Sequence, residues 1–494
     1  MHRTIRRHNV TAHAHQRADE LKFDGAQLQK FSDQLAGHVL LPQDPAYDSS
    51  RETFMKAFQH FPQIIVYCAG FSDAVASIQF AQEVGLHPVC RSGGHSTAGY
   101  SVNDEMVIDL SSINYVRVDP KKESALVGAG ANFGHVNPEM ELHGLHVPSG
   151  GCPTVCVGGF MQGGGYSFTS LMFGMNCDSV TGVQLALASG DIVTANEREN
   201  EDLFWAVRGG TGNNFGALVE IEYRLRKLGN LWGFGFKWPL EEDKEATAAA
   251  EALSVWQSHF TGDAAPPHLG QQALLVRTKK NPDAKRLGQY FVVRGMYNGS
   301  EADCRKALDP LFALIPDERY RDIWQAGSYR ELNGYLLNYP TELPANVPPS
   351  ARSLAKSHIL GRNLTPAEWG RILDLFRASA NQNNFIGLEP YGGSINALAP
   401  DDTAFWHRRA AMDVFLFSFW LDENSRDSAG AYVREFDRVL HTLSNGHSYQ
   451  NYPNPENKNF GNMYFGGNLK RLVEVKQKYD PSDFFTFPQG LLRA

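Results

Sequence analysis

The chain has no apolar run approaching the length that crosses a bilayer, so no membrane partner is expected. It has no basic excess either: 46 Lys and Arg stand against 54 Asp and Glu, a formal net charge of −8. Recognition of a phosphate backbone needs a basic surface, so no nucleic-acid partner is expected. Only 6 cysteines occur in 494 residues, too few for a disulfide framework. Internal repeats and low-complexity segments are absent. The N-terminus lacks the apolar stretch of a secretory signal, and Arg6-Arg7 is not followed by one. The expectation is a cytoplasmic protein, with secretion after removal of a leader as the alternative. His2, His8, His13 and His15 lie in a polar leader, residues 1–20, that is expected to be disordered; no metal site is expected.

What is present is an ordinary globular composition, 42% apolar and 20% charged, in a chain long enough for two or three domain-sized units. From Phe61 to about Arg226, short β-branched runs alternate with helical spacing and glycine-rich joints. Ile64–Gly70 predicts a strand, and Ser72 an N-cap for the helix after it. From about Trp232 the glycine clusters fade. Amphipathic helices, such as those opening at Ser300 and at Thr365-Pro366-Ala367-Glu368, alternate with strand-like runs around 272–278, 289–297, 384–393 and 412–421. The pattern predicts an α+β fold in which helices cover one face of an antiparallel sheet and the other face roofs a ligand.

Two glycine-rich loops hold nucleophiles. Arg91-Ser92-Gly93-Gly94-His95 runs on through Ser96, Gly99, Tyr100 and Ser101. Gly151-Cys152-Pro153-Thr154-Val155 runs on through Gly158, Gly159 and Gly163. Successive backbone N–H groups in such loops make anion-binding nests, for which a pyrophosphate is the natural guest. Neither loop is the dinucleotide pattern GxGxxG. A third loop, Trp205–Gly216, carries Asn214 and Gly216; Arg208 in it suits a structural ion pair. Tyr449-Gln450-Asn451-Tyr452 sets two tyrosines three residues apart. Alternation along Glu389-Pro390-Tyr391 puts Glu389 and Tyr391 on one face of a strand, and a buried Glu needs a partner or a task.

In this order the motifs resemble those of the vanillyl-alcohol oxidase flavoprotein superfamily, most closely its berberine bridge enzyme-like branch. The resemblance implies a two-subdomain PCMH-type FAD-binding domain over 1–231 and 447–494, with a substrate domain over 232–446. It implies FAD held by two covalent bonds, the 8α-methyl to His95 and C6 to Cys152. Cys156 stands where the family has Gly and is a competing nucleophile; Phe160 stands where it often has His. The other loop residues named above, with Tyr449 and Asn451, are then expected to contact the cofactor. Val155 matches a small side chain that leaves oxygen a path to the flavin.

Tyr452 resembles the family's general base, a role that needs its pKa moved from near 10. Tyr449 suits packing under the ring as well as catalysis, and Glu389 and Tyr391 are auxiliary candidates. Val414 falls where alkaloid-cyclising members carry a catalytic Glu, with Asp413 on the opposite face of that strand. The implied activity is a flavin oxidase that takes a small-molecule alcohol or sugar hemiacetal and reduces O2 to H2O2. A phenolic, polyketide or alkaloid-like substrate, including oxidative cyclisation, is the alternative; a dehydrogenase and a flavin-binding protein of little turnover are rivals. A monomer or homodimer is expected.

Overall fold

The computed structural model describes residues 21–279, 287–315, 320–340 and 352–492. The histidine-bearing leader and its expected disorder lie outside the described residues. Strands β1 (His38–Leu40), β2 (Ile64–Tyr67), β3 (Pro88–Arg91) and β4 (Met106–Asp109) form a first sheet in the order β1-β2-β4-β3. β4 runs parallel to β2 and β3. Parallel strands need a crossover, and the helix Phe71–Val84 supplies it from β2 to β3, which flank β4. That helix starts two residues earlier than Ser72 would set it: Gly70 is its N-cap and no side chain caps it. Asp73 does the local tying instead, accepting the N–H groups of Ala36, Gly37 and Ala69.

Next in the chain come β5 (Val116–Asp119), β6 (Ser124–Gly128), β7 (Leu145–His146), β8 (Val180–Ala186), β9 (Ile192–Asn196), β10 (Ala217–Arg224) and β11 (Arg226–Lys227). Five of these form an antiparallel sheet, β5-β6-β10-β8-β9, while β7 pairs with β11. The first glycine loop leaves the end of β3, and the second lies between β7 and β8.

The third sheet has seven antiparallel strands: β12 (Leu231–Pro239), β13 (Leu269–Lys279), β14 (Leu287–Asn298), β15 (Arg321–Gly327), β16 (Arg352–Leu360), β17 (Asn384–Pro390) and β18 (Met412–Trp420). Their order is β15-β12-β14-β13-β17-β18-β16. The period of two divides their side chains. Ala273, Leu275, Ile386, Leu388, Val414 and Leu416 enter a core shared with the helices Asp243–Phe260, Glu301–Phe312, Pro366–Ala378 and Arg426–His441. Each fully buried Leu or Ile there contributes roughly 1.5–3 kcal/mol. Thr365, Glu368 and Pro366 cap and open the third of these helices as predicted, and Ser300 caps the second.

The opposite face, with Gln272, Phe385, Glu389, Phe417 and Phe419, opens on a cavity. The α+β class and the sheet with helices on one face are therefore as predicted. After the sheet the chain returns to the first two sheets through the helix Leu469–Tyr479. There Lys476 Nζ, fully buried, donates to Asp480 and to the carbonyls of Asn214 and Phe485.

Candidate active site

A cavity of about 540 Å³ lies between the glycine loops and the open face of the seven-stranded sheet. From the first loop Ser92, Gly93, Gly94, His95, Ser96, Tyr100 and Ser101 line it; from the second, Gly151, Cys152, Val155, Cys156 and Gly159. Gly93 must be glycine, because a Cβ there would come within 2.6 Å of Cys156 Sγ. Gly94, at φ +71, has the left-handed backbone that glycine adopts without cost.

Thr154 joins the two predicted tethers. Its Oγ1 lies 2.9 Å from His95 Nε2 and 3.2 Å from Cys152 Sγ. His95 stacks on Phe54 with ring centroids 4.5 Å apart. Burial pushes the His95 imidazole down to about 4, so at neutral pH it is uncharged and keeps a lone pair. Cys156 differs from Cys152: it is buried, it donates to the Gly130 carbonyl at 3.2 Å, and burial pushes its thiol up to about 12. Cys152 is half-buried at the cavity wall. A thiol held as a neutral donor is the poorer nucleophile.

The catalytic candidates divide sharply. Tyr452 lines the cavity, and its hydroxyl donates to Glu389 Oε1 at 3.0 Å. Gln272 Nε2 donates to the same oxygen at 3.2 Å, and Gln272 Oε1 accepts from Arg294 at 2.6 Å. Arg294 is Gln272's register partner on β14, and it also donates to the carbonyls of Leu336 and Tyr339. Burial lowers its guanidinium to about 9. Glu389 is held well above the carboxylate range by burial and then by Asp413; Tyr452 is raised by burial and by Glu389.

Asp413 faces Glu389 across the β17–β18 pairing, so it is the cavity side that carries Asp413, while Val414 packs under the helices. This corrects the expectation that Val414 holds the catalytic face. Ser357 Oγ donates to Asp413 at 2.7 Å and accepts the Tyr449 N–H at 2.9 Å.

Several other predicted residues have supporting parts or stand away from the cavity. The Tyr449 hydroxyl receives the N–H groups of Gly165 and Tyr166 and the Asn451 amide, so this ring braces the wall. Tyr391 is buried behind Tyr166, its ring stacked at 5.8 Å, and does not line the cavity. Arg91 is taken by a buried ion pair with Asp109. Asn214 is a buried knot: its amide donates to Gly210 and Thr211, and its oxygen accepts from Leu491.

The neighbouring Asn213, at φ 61, lines the cavity in Asn214's place, gripping Cys90 N at 2.6 Å. Gly99, Thr154, Gly158 and Gly163 support the loops from outside the lining, whereas Gly216, Asn451 and Tyr452 are in it. Gln272, Arg294, Phe385, Phe417 and Phe419 had no local signal, because strand pairing alone brings them here.

The cavity suits FAD. The buried Tyr100 hydroxyl and Ser101 Oγ on its wall have no hydrogen-bond partner and await an acceptor. Among the described residues no cluster of His, Cys, Asp and Glu suits a metal ion, and no helix is long and apolar enough to cross a membrane.

Comparison with known proteins agrees. A family model described as "FAD binding domain" matches residues 62–196, and one described as "Berberine and berberine like" matches 448–491. The uncharacterized FAD-linked oxidoreductase YgaK of Bacillus subtilis (strain 168) is 26% identical, over 92% of this chain and 97% of that one. The xylooligosaccharide oxidase of Thermothelomyces thermophilus is 25% identical, over 89% and 88%. The monolignol oxidoreductase AtBBE-like 13 of Arabidopsis thaliana is 26% identical, over 84% and 81%. Among solved structures, Physcomitrella patens BBE-like 1 superposes with a TM-score of 0.82 at 24% identity, covering 94% of this chain and 99% of that one.

Proposed function

We propose that this chain, an FAD-linked oxidoreductase of the berberine bridge enzyme-like family, is an oxidase that converts a substrate C–OH, of an alcohol or a sugar hemiacetal, to the carbonyl or lactone. The observation that carries this reading is the Tyr452–Glu389 hydrogen bond at 3.0 Å on the cavity wall. A phenol alone is a weak base at neutral pH. A phenol already donating to a carboxylate can take the substrate's hydroxyl proton while its own passes to Glu389, so no buried phenolate has to persist. Gln272, clamped by Arg294, fixes Glu389 for that transfer.

When bound, FAD supplies the hydride acceptor, and O2 reoxidises it with release of H2O2. The residues that would hold it are the loop lining from Ser92 to Ser101, Asn213, and Gly216. His95 and Cys152 would bond to it, the first uncharged and the second the more exposed of the two nearby thiols. Thr154, touching both, orients them. Val155 lies on the cavity wall, a small side chain that would leave oxygen a path to the flavin. The test is anaerobic mixing of the flavin-loaded protein with a panel of alcohols and reducing sugars, followed by admission of air. Bleaching of the flavin and then stoichiometric H2O2 is the expected outcome; bleaching that air reverses slowly and without peroxide would make it a dehydrogenase.

A further inference from the structure

Arg294 is a buried cation whose partners are all neutral. It is 5% exposed, and it lines the cavity together with Phe168 and Leu337. An arginine has five N–H donors. One on Nε and one on Nη2 go to Gln272 Oε1, and both on Nη1 go to the carbonyls of Leu336 and Tyr339. The second on Nη2 donates to no described residue. Leu336 and Leu337 end the helix Tyr329–Leu337. The carbonyl dipoles of a helix end orient a cation but do not cancel a full charge.

Glu389 is the carboxyl that bears on this guanidinium, and it does so across the Gln272 amide. Burial and then Asp413 on β18 hold Glu389 protonated far above the carboxylate range. The phenols packed around these groups are Tyr166, Tyr339, Tyr391, Tyr449 and Tyr452, and burial keeps each of them uncharged. Arg294 itself, lowered to about 9, is still charged at neutral pH. A buried charge calls for an opposite one. Glu389 can supply it by ionising, or a ligand can bring it. The two exclude each other, because a second anion beside an ionised Glu389 is repelled.

We propose that Arg294 makes the cavity a binding site for an organic monocarboxylate, which pairs with the guanidinium and opposes ionisation of Glu389. The neighbours favour an organic body over an inorganic anion: Phe168 lies 5.6 Å from the guanidinium, and Leu337 adds a second apolar side chain. Such a ligand inhibits the oxidation proposed above, since Tyr452 cannot pass its proton to a protonated Glu389. That consequence rests on the oxidase reading; the binding does not. Linkage fixes the sign. Carboxylate binding is strongest where Glu389 is protonated and weakens as pH rises through its ionisation.

The probe is benzoate, titrated into the flavin-loaded protein between about pH 6 and 9, where it stays ionised. Perturbation of the flavin absorbance reads the binding. Benzamide, of the same shape and without charge, is the control. Benzoate is expected to bind more tightly than benzamide, with a Kd that rises with pH. In Glu389→Gln that rise flattens. In Arg294→Met the Kd for benzoate rises roughly ten- to a hundredfold. Should that variant lose its flavin, the comparison of wild type with Glu389→Gln decides.

The inference is overturned if benzoate binds no better than benzamide, or with the same Kd at every pH. A Kd that Arg294→Met leaves unchanged, or a pH dependence that Glu389→Gln leaves undiminished, overturns it as well. Binding that behaves as expected, in a protein whose flavin no alcohol or sugar reduces, keeps the site and removes the oxidase reading.

Discussion

Glu389 and Asp413 are register partners on neighbouring strands, both buried on the same face, and each keeps one carboxyl oxygen without a hydrogen-bond partner. Two like charges so placed in an apolar wall cannot both persist. Burial pushes Asp413 up to about 8, and burial together with Asp413 holds Glu389 far above its ordinary range. The pair titrates as a unit. The tyrosines around it, Tyr166, Tyr391, Tyr449 and Tyr452, are all raised and uncharged, and Arg294 reaches Glu389 only through Gln272.

The pH dependence follows with a definite sign. Glu389 receives the Tyr452 proton only when ionised, so flavin reduction rises with pH through a midpoint well above the usual carboxylate range. Removing the like charge in Asp413→Asn eases ionisation of Glu389 and moves that midpoint to lower pH. Glu389→Gln lowers the rate and flattens the profile. Stopped-flow reduction across pH reads all three, and an unmoved midpoint in Asp413→Asn contradicts the coupling.

Tyr452→Phe deletes the proton acceptor and little else, since the ring still packs on Phe415. The reduction rate is expected to fall by roughly 10²–10⁴-fold with the flavin content unchanged. Tyr449→Phe removes an acceptor of two backbone N–H groups, so it should lower thermal stability more than it lowers the rate per flavin.

The proposed double attachment has a visible readout. After acid precipitation, colour is expected to stay in the pellet for the wild type and for each of His95→Ala and Cys152→Ala, and to leave only when both are changed. Cys156→Ala should keep the wild-type spectrum, because that thiol donates to the Gly130 carbonyl and is held protonated. Loss of the thioether spectrum in Cys156→Ala would reassign the second bond.

Lys476 and Asp480 form a fully buried pair that also holds the Asn214 loop. Lys476→Met leaves Asp480 buried without its cation, and the cost should be about 3–5 kcal/mol. Urea unfolding followed by near-ultraviolet circular dichroism measures it.

How much of this was legible in the sequence depended on how local the signal was. The loops around His95 and Cys152 carry their own glycines, and the third-sheet strands with runs of Val, Leu and Phe were evident from their apolar content. Asn213 and Asn214 are adjacent and chemically identical; which one faces the ligand is decided by backbone conformation at Asn213, where φ is 61. Gln272 and Arg294 looked like ordinary polar interruptions of β13 and β14, and only their register makes them Glu389's support. The resemblance points to Val414, and alternation puts its neighbour Asp413 on the other face; the pairing of β17 with β18 decides that it is Asp413 that meets Glu389. Tyr391 shares Glu389's alternation, but the chain leaves the strand at Pro390 and carries it behind Tyr166.

The return of the chain to the first two sheets sets an order of events during synthesis. Nucleophiles at 95 and 152 are translated early, whereas Tyr449, Tyr452 and Gln489 on the cavity wall come from the C-terminal part of the chain. Thr97 donates to the Pro453 carbonyl, and Gln489 binds the carbonyl of Asn454, so this block also closes the loop that carries His95. A growing chain folds from its N-terminal side. Its cofactor loops are therefore made before the residues that seal them, and stable capture of FAD is expected only once the C-terminal part of the chain has packed against them.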